Sequence, residues 1–134
     1  MTTSDLMIQL EAASATNRLD SYFKRTIGIL RLLVIDEFGY VKFNEMQANL
    51  FFQIINKKYE TGSVIITSNL SFTKWKEVLN SDEALTTAIL DRLIHHSHLI
   101  NVPGESYRLK QKREAGLLDI SVARCFVSDE KILA

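Results

Sequence analysis

Residues 32–40 read LLVIDEFGY. Four apolar residues in a row, Leu32, Leu33, Val34 and Ile35, run directly into two carboxylates, Asp36 and Glu37. A run that is apolar on both faces reads as a buried parallel strand, which needs helices on either side. Ligands of open α/β sheets bind beyond the carboxyl ends of such strands, and the two acids fall at that end. An acid that ligates Mg²⁺, followed by an acid that polarises water, is what nucleotide hydrolysis requires. The pair has the form of a Walker B motif. Its usual companion, G-x-x-x-x-G-K-[ST], does not occur in the chain, and only about thirty residues lie upstream of the strand.

The remaining composition narrows the class. A chain of 134 residues suggests one domain, and 46% apolar with 24% charged residues is ordinary for a globular fold. Sixteen basic residues balance sixteen acidic ones, so no overall basic field argues for nucleic acid. The single Cys125 excludes an internal disulfide and a cysteine-only zinc site. The sequence shows no secretory apolar region near Met1 and no stretch long enough to span a bilayer, so a cytoplasmic protein is expected.

Apolar spacing places the elements around the strand. Ser4 or Thr3 can cap a first helix with Leu6, Met7, Leu10 and Ala13 on one side. A short helix is predicted from Asn17 to about Thr26, with Leu19, Tyr22 and Phe23 inward. Asn44 and Gln47 form a capping box for the clearest helix, whose stripe is Met46, Leu50, Phe51, Ile54 and Ile55. Lys57 and Lys58 suit its negative end, and Gly62 is placed to stop it. Ser63–Asn69 is a β-branched strand. A short helix opened by Ser71 or Thr73 runs through Trp75 and Val78, and another helix spans Ala84 to His95. Leu99–Val102 is a third strand, ended by Pro103–Gly104. This alternation indicates a layered α/β unit with a parallel sheet.

With these elements in order, the sequence resembles the AAA+ ATPases of the IstB-like group. These are ATP-binding helpers of insertion-sequence transposition, related to DnaC-type helicase loaders. The resemblance rests on VIDEFGY (Val34–Tyr40), KKYETGSVIITSN (Lys57–Asn69), LDRLIHHSH (Leu90–His98) and GESYRLK (Gly104–Lys110), in family order. It covers about residues 1–110 as the C-terminal portion of the ATPase domain. Residues 111–134 are left as a basic, helix-compatible tail and an unassigned C-terminus. The fold implied is a partial P-loop NTPase core of three αβα layers, lacking the P-loop strand and helix.

The resemblance also implies roles. Asp36 matches the Mg²⁺-ordering acid and Glu37 the water-polarising acid. Asn69 matches the sensor-1 polar residue near the γ-phosphate. Arg92 matches an arginine supplied to a neighbouring subunit's site, and Arg108 the sensor-2 arginine of its own site. The chemistry suits them, since phosphoryl transfer needs charge stabilisation and positioning, and arginine is a planar cationic fork. Expected cofactors of the intact family are ATP and Mg²⁺; this chain, without a Walker A motif, is expected to bind them weakly or not at all and to be inactive alone. Expected partners are a transposase, DNA through the intact assembly, and further copies in an oligomer, with no membrane. Met1-Thr2-Thr3 looks like the end of the fold's second strand, so the chain reads as N-terminally truncated. Without the central first strand the sheet is split, and the backbone facing that gap needs other partners.

Each residue also has a plainer reading. Adjacent acids after an apolar run often just begin a loop, and asparagine is a common turn residue. Arg92 beside Asp91, and Arg108 near Glu105, could be surface ion pairs worth roughly 0–1 kcal/mol. His95 and His96 diverge on a helix and no cysteine completes a metal set with His98. Two further functions remain open: a DnaC-like replicative helicase loader, and a non-enzymatic remnant acting only through protein contacts.

Overall fold

In a computed structural model of the chain, which describes residues 1–59, 61–104, 106–115 and 131–133, the helices begin where side chains can cap them. Helix α1 (Thr3–Ala15) is capped by Thr2, one residue before the expected cap. The reason is Asp5, which stands three residues on and closes the reciprocal capping box. The next segment is shorter than its apolar pattern predicts. Helix α2 (Leu19–Tyr22) passes into a π-turn at Phe23–Ile27, where Gly28 N–H reaches back to Phe23 at 2.8 Å.

Helix α3 (Glu45–Lys58) has the predicted Asn44–Gln47 box, with reciprocal bonds of 2.8 and 2.9 Å. Leu50, Phe51, Ile54 and Ile55 are buried as expected, but Met46 stays 46% exposed in the first turn. The helix leaves its path at Tyr59, before Gly62. Lys58 is not a solvated helix-end charge. It is 2% exposed and its ammonium donates to the Leu30 carbonyl. Burial, with Lys57 adjacent, pulls its pKa below the ordinary lysine value.

Strand β1 (Leu32–Phe38) runs parallel to β2 (Ser63–Ser68). A 3₁₀ turn at Phe72–Lys74 leads into α4 (Trp75–Val78), and Asp82 caps α5 (Glu83–His95) through Leu85 N–H at 2.9 Å. Strand β3 (Ile100–Val102), helix α6 (Tyr107–Glu114) and strand β4 (Lys131–Leu133) follow.

The sheet order is β1-β2-β4-β3, and β4 is antiparallel to both neighbours. The parallel pair matches the sequence expectation. The gap expected between the second and third strands is instead occupied by the last residues of the chain. Leu133 and Ile132 pair with Thr67 and Ser68 on one side and with Ile100 and Asn101 on the other.

Burial departs from the three-layer expectation. Along β1, Leu33, Ile35 and Phe38 are buried, while Leu32 and Val34 are 48% and 40% exposed. Val34 is in register with Ile65, which is 39% exposed. Residues two apart share a sheet face. One face therefore joins a single apolar cluster with Leu6, Leu10, Phe51, Ile54, Trp75 and Ile89. The other face carries an apolar row that is left open by the described residues. Four aromatics organise the covered side: Phe38 lies 4.1 Å from Trp75, 5.2 Å from Phe51 and 5.7 Å from Phe43 between ring centres. No described helix is long and apolar enough to cross a membrane.

Candidate functional site

The two acids project where the pairing of β1 with β2 slips. Ile35 pairs with Ile66 and Phe38 with Ser68, so Asp36 and Glu37 together face Thr67 alone. That is a one-residue bulge, a device that re-aims side chains at the end of a strand. The extra residue is accommodated at Glu37, which has φ of +62°, an uncommon region for a residue with a Cβ. Both acids are exposed at the carboxyl end of the strand.

Thr67 organises the bulge. Its hydroxyl donates to Asp36 Oδ1 and accepts Glu37 N–H at 3.1 Å. Glu37 N–H also reaches Asp36 Oδ1 at 3.0 Å. The main chain of Asp36 is held from the opposite edge. Its N–H donates to the Met1 carbonyl at 3.0 Å, its carbonyl accepts the Thr3 hydroxyl at 2.9 Å, and Thr2 bridges it in parallel fashion.

Two further residues hold the ends of β1 and β2 together. Ser68 is 2% exposed; its hydroxyl donates to the Phe38 carbonyl at 2.7 Å and accepts Leu70 N–H at 3.1 Å. Gly39 has φ of +109°, and a Cβ there would sit 2.6 Å from Leu70 Cδ1 and 3.3 Å from Asn69 Oδ1. Only glycine fits. Asn69 follows β2 directly, and its Oδ1 is buried with no hydrogen-bond partner among the described residues. A buried acceptor left open this way fits a site completed by a water or ligand.

The structure thus brings Asp36, Glu37 and Asn69 to one end of the sheet. It sets Arg92 apart. Arg92 lines a cleft of about 900 Å³ with Ser63, Val64, Leu93, His96 and Ile100, at the amino end of β2. Val64 and Asn69 are five residues apart, about 16 Å along a strand. The guanidinium does not pair with Asp91 in an ion bridge among the described residues. It donates to the Ala88 carbonyl at 2.9 Å and stacks 5.0 Å above the Phe52 ring. Arg108 belongs to α6 by its backbone, and its side chain, like Glu105, lies outside the described residues.

Thr67, Ser68 and Gly39 were not foreseen as site residues. The glycine in DEFGY was a visible signal. The two hydroxyls act across the strand pair, which sequence spacing does not display. The histidines have ordinary partners: His95 Nδ1 lies 3.0 Å from the Tyr59 hydroxyl, and the His95 and His96 rings are 4.2 Å apart.

Among the described residues no three His, Cys, Asp or Glu side chains are grouped to hold a metal. An all-protein cage is not what Mg²⁺ needs. It commonly takes one or two carboxylates and completes its shell with phosphate oxygens and water. Asp36, fixed by Thr67, fits that pattern.

A model of the IstB-like ATP binding protein family matches residues 1–115. The chain belongs to this family. It is 47% identical over 113 residues to the ATP-binding protein of insertion sequence IS21 from Pseudomonas aeruginosa, a match covering 84% of this chain and 42% of that protein. It is 43% identical over 117 residues to the IS5376 ATP-binding protein of Geobacillus stearothermophilus, covering 84% and 44%. The IS232 ATP-binding protein of Bacillus thuringiensis subsp. berliner gives 43% over 106 residues, 79% and 42%. The chain therefore spans under half the length of these IstB-like relatives.

Proposed function

We propose that this chain is the acid-and-sensor part of an ATP-hydrolysing helper of DNA transposition. The observation that carries the reading is the bulge that presents Asp36 and Glu37 against Thr67, with the open Asn69 amide beside them. A merely loop-opening acid pair needs no bulge, no positive φ and no hydroxyl clamp behind it. Names also weigh in: the relatives belong to insertion sequences, which favours transposition over helicase loading.

Asp36 is the residue that would hold Mg²⁺, which when bound neutralises charge on the nucleotide phosphates. Glu37 is exposed in the bulge, one residue before the end of β1, where it can orient a water and take its proton. Asn69 can give that water a second hydrogen bond without adding charge. Arg92 is too far along the sheet to serve this site and acts on that of a neighbouring copy. Arg108 acts on its own subunit's phosphates. The phosphate-gripping loop, absent from this sequence, comes from outside these residues, and the transposase and DNA are contacted by the completed assembly.

The test is a fusion of the unmatched part of the Pseudomonas relative to this chain. The fusion should hydrolyse ATP in a Mg²⁺-dependent way. Glu37→Gln should still bind ATP while turnover falls by about 10²–10⁴-fold. Equal turnover in that variant would remove Glu37 from the chemistry, and with it the proposal.

A further inference from the structure

Oδ1 of Asp36 is engaged by at least two donors inside the chain, the Thr67 hydroxyl and the Glu37 main-chain N–H, the latter at 3.0 Å. A carboxylate oxygen has about two lone-pair positions, so both are taken. Asp36 can therefore offer a cation one oxygen at most. The arrangement is stiff. The same Glu37 N–H also reaches the Thr67 hydroxyl oxygen at 3.1 Å, so turning that hydroxyl away breaks two hydrogen bonds at once. Threonine is branched at Cβ and keeps few side-chain rotamers, and the N–H is aimed by the bulge at Glu37, with φ of +62°.

Two comparisons along the strands single out the hydroxyl. Val34 and Ile65 are in register, and two residues further on the same face carries Asp36 and Thr67. Valine at 67 would have the shape of threonine and would continue the apolar row. The chain has a hydroxyl instead, and it donates to the acid. Nor is that hydroxyl what ties the strand ends together, since Ser68, the next residue, already bonds the Phe38 carbonyl and the Leu70 N–H. What the Thr67 hydroxyl adds is control over how Asp36 meets a cation. Mg²⁺ demands near-ideal octahedral geometry, and the narrow bite of a carboxylate gripping through both oxygens distorts an octahedron. Ca²⁺ takes about six to eight oxygens in a flexible shell and accepts both oxygens of one carboxylate.

We propose that Thr67 is a specificity-determining residue of the acid site: by occupying Oδ1 of Asp36 it holds the carboxylate to one-oxygen ligation, which suits Mg²⁺ and disfavours Ca²⁺. The inference rests on the reading of Asp36 as the metal-holding acid, and not on the roles of Glu37, Asn69 or either arginine.

The test uses the full chain, labelled with nitrogen-15 and without nucleotide. Mn²⁺ at millimolar concentration is the probe: it takes the same oxygen donors as Mg²⁺, and its unpaired electrons broaden nearby amide signals even when it binds weakly. The signals of Glu37, Phe38 and Gly39 should broaden, and Asp36→Asn should abolish the effect. Mg²⁺ and Ca²⁺ then compete for the site, and the ratio of their dissociation constants is read from the recovery of those signals. Thr67→Val should shift the ratio toward Ca²⁺ by about tenfold, the equivalent of one charge-assisted hydrogen bond. Thr67→Ala removes the same hydroxyl with less bulk and should shift it equally, so the result does not depend on how valine packs. Thr67→Ser keeps the hydroxyl and should keep the wild-type ratio. So should Thr87→Val, which removes a hydroxyl bonded to the Glu83 carbonyl within α5. The urea transition of Trp75 fluorescence checks that each variant is folded. A ratio unchanged in both Thr67→Val and Thr67→Ala would overturn the proposal and leave Asp36 as the metal-holding acid. So would Thr67→Ser shifting as far as Thr67→Val, because the hydroxyl would then not be the cause. Broadening that misses residues 37–39, or that survives Asp36→Asn, would overturn both the reading of Asp36 and this inference.

Discussion

Ser68→Ala tests whether the bulge at Asp36 and Glu37 is held from behind. The change removes one hydroxyl and creates almost no cavity. The hydroxyl is 2% exposed and serves two backbone groups, the Phe38 carbonyl at 2.7 Å and the Leu70 N–H at 3.1 Å. A buried polar group that loses its partner costs about 1–3 kcal/mol. Leu70 is half-buried, so water can replace part of its loss, while the bond to the Phe38 carbonyl is buried. About 2 kcal/mol is expected in total. With a urea dependence of about 2 kcal/mol/M, the unfolding midpoint should drop by about 1 M. The reporter is already in place: Trp75 is the chain's one tryptophan, 1% exposed and 4.1 Å from the Phe38 ring. Ser71→Ala is the control, because that hydroxyl meets only Thr73 among the described residues, and its midpoint should barely move. A Ser68→Ala shift no greater than the control's would mean that the strand ends are held by packing alone, and the account of the bulge would be wrong.

Gly39→Ala should cost more than about 1 kcal/mol, and Leu70→Ala in the same chain should restore only part, since it removes the 2.6 Å clash but not the strain of φ +109°; full restoration in urea melts would show that the backbone is not strained. The chain alone should bind a fluorescent ATP analogue weakly or not at all, because it lacks the backbone nest and lysine that grip phosphates; micromolar affinity by anisotropy would move the phosphate site onto this chain. In the fused ATPase, Arg92→Ala and Glu37→Gln subunits should each be nearly inactive, and mixing them should recover turnover, because an arginine acting in trans can reach an intact acid; no recovery despite assembly would confine Arg92 to its contacts with Phe52 and Ala88.

The parts of the site that lie along the chain were legible in it. Asp36 and Glu37 follow the apolar run that opens β1, Asn69 directly follows β2, and the capping box at Asn44 was readable from two residues. The parts that lie across the chain were not. Thr67 and Ser68 acquire their partners from the register of two strands about thirty residues apart, and a one-residue bulge leaves no periodic trace. Strand β4 is three residues long, too short for an alternation to show, so its place between β2 and β3 had no signature. Met46 illustrates the opposite error: its spacing fits the α3 stripe, yet it stays 46% exposed while Ala48, two residues on, is buried.

The disagreement over β1 is the most instructive, because there the sequence reading and the packing are both physically sound. Leu32, Leu33, Val34 and Ile35 encode a strand covered on both faces, and these described residues cover one. Fully burying a large aliphatic side chain is worth about 1.5–3 kcal/mol, and Leu32, Val34 and Ile65 are each a little under half exposed. Covering them would therefore yield roughly 2–4 kcal/mol that the described residues do not collect. Alternating polar residues at those three positions would be the better solution for a sheet that ends in water. Apolar residues there suit a sheet face that is covered, and the row leads directly to Asp36 and Thr67.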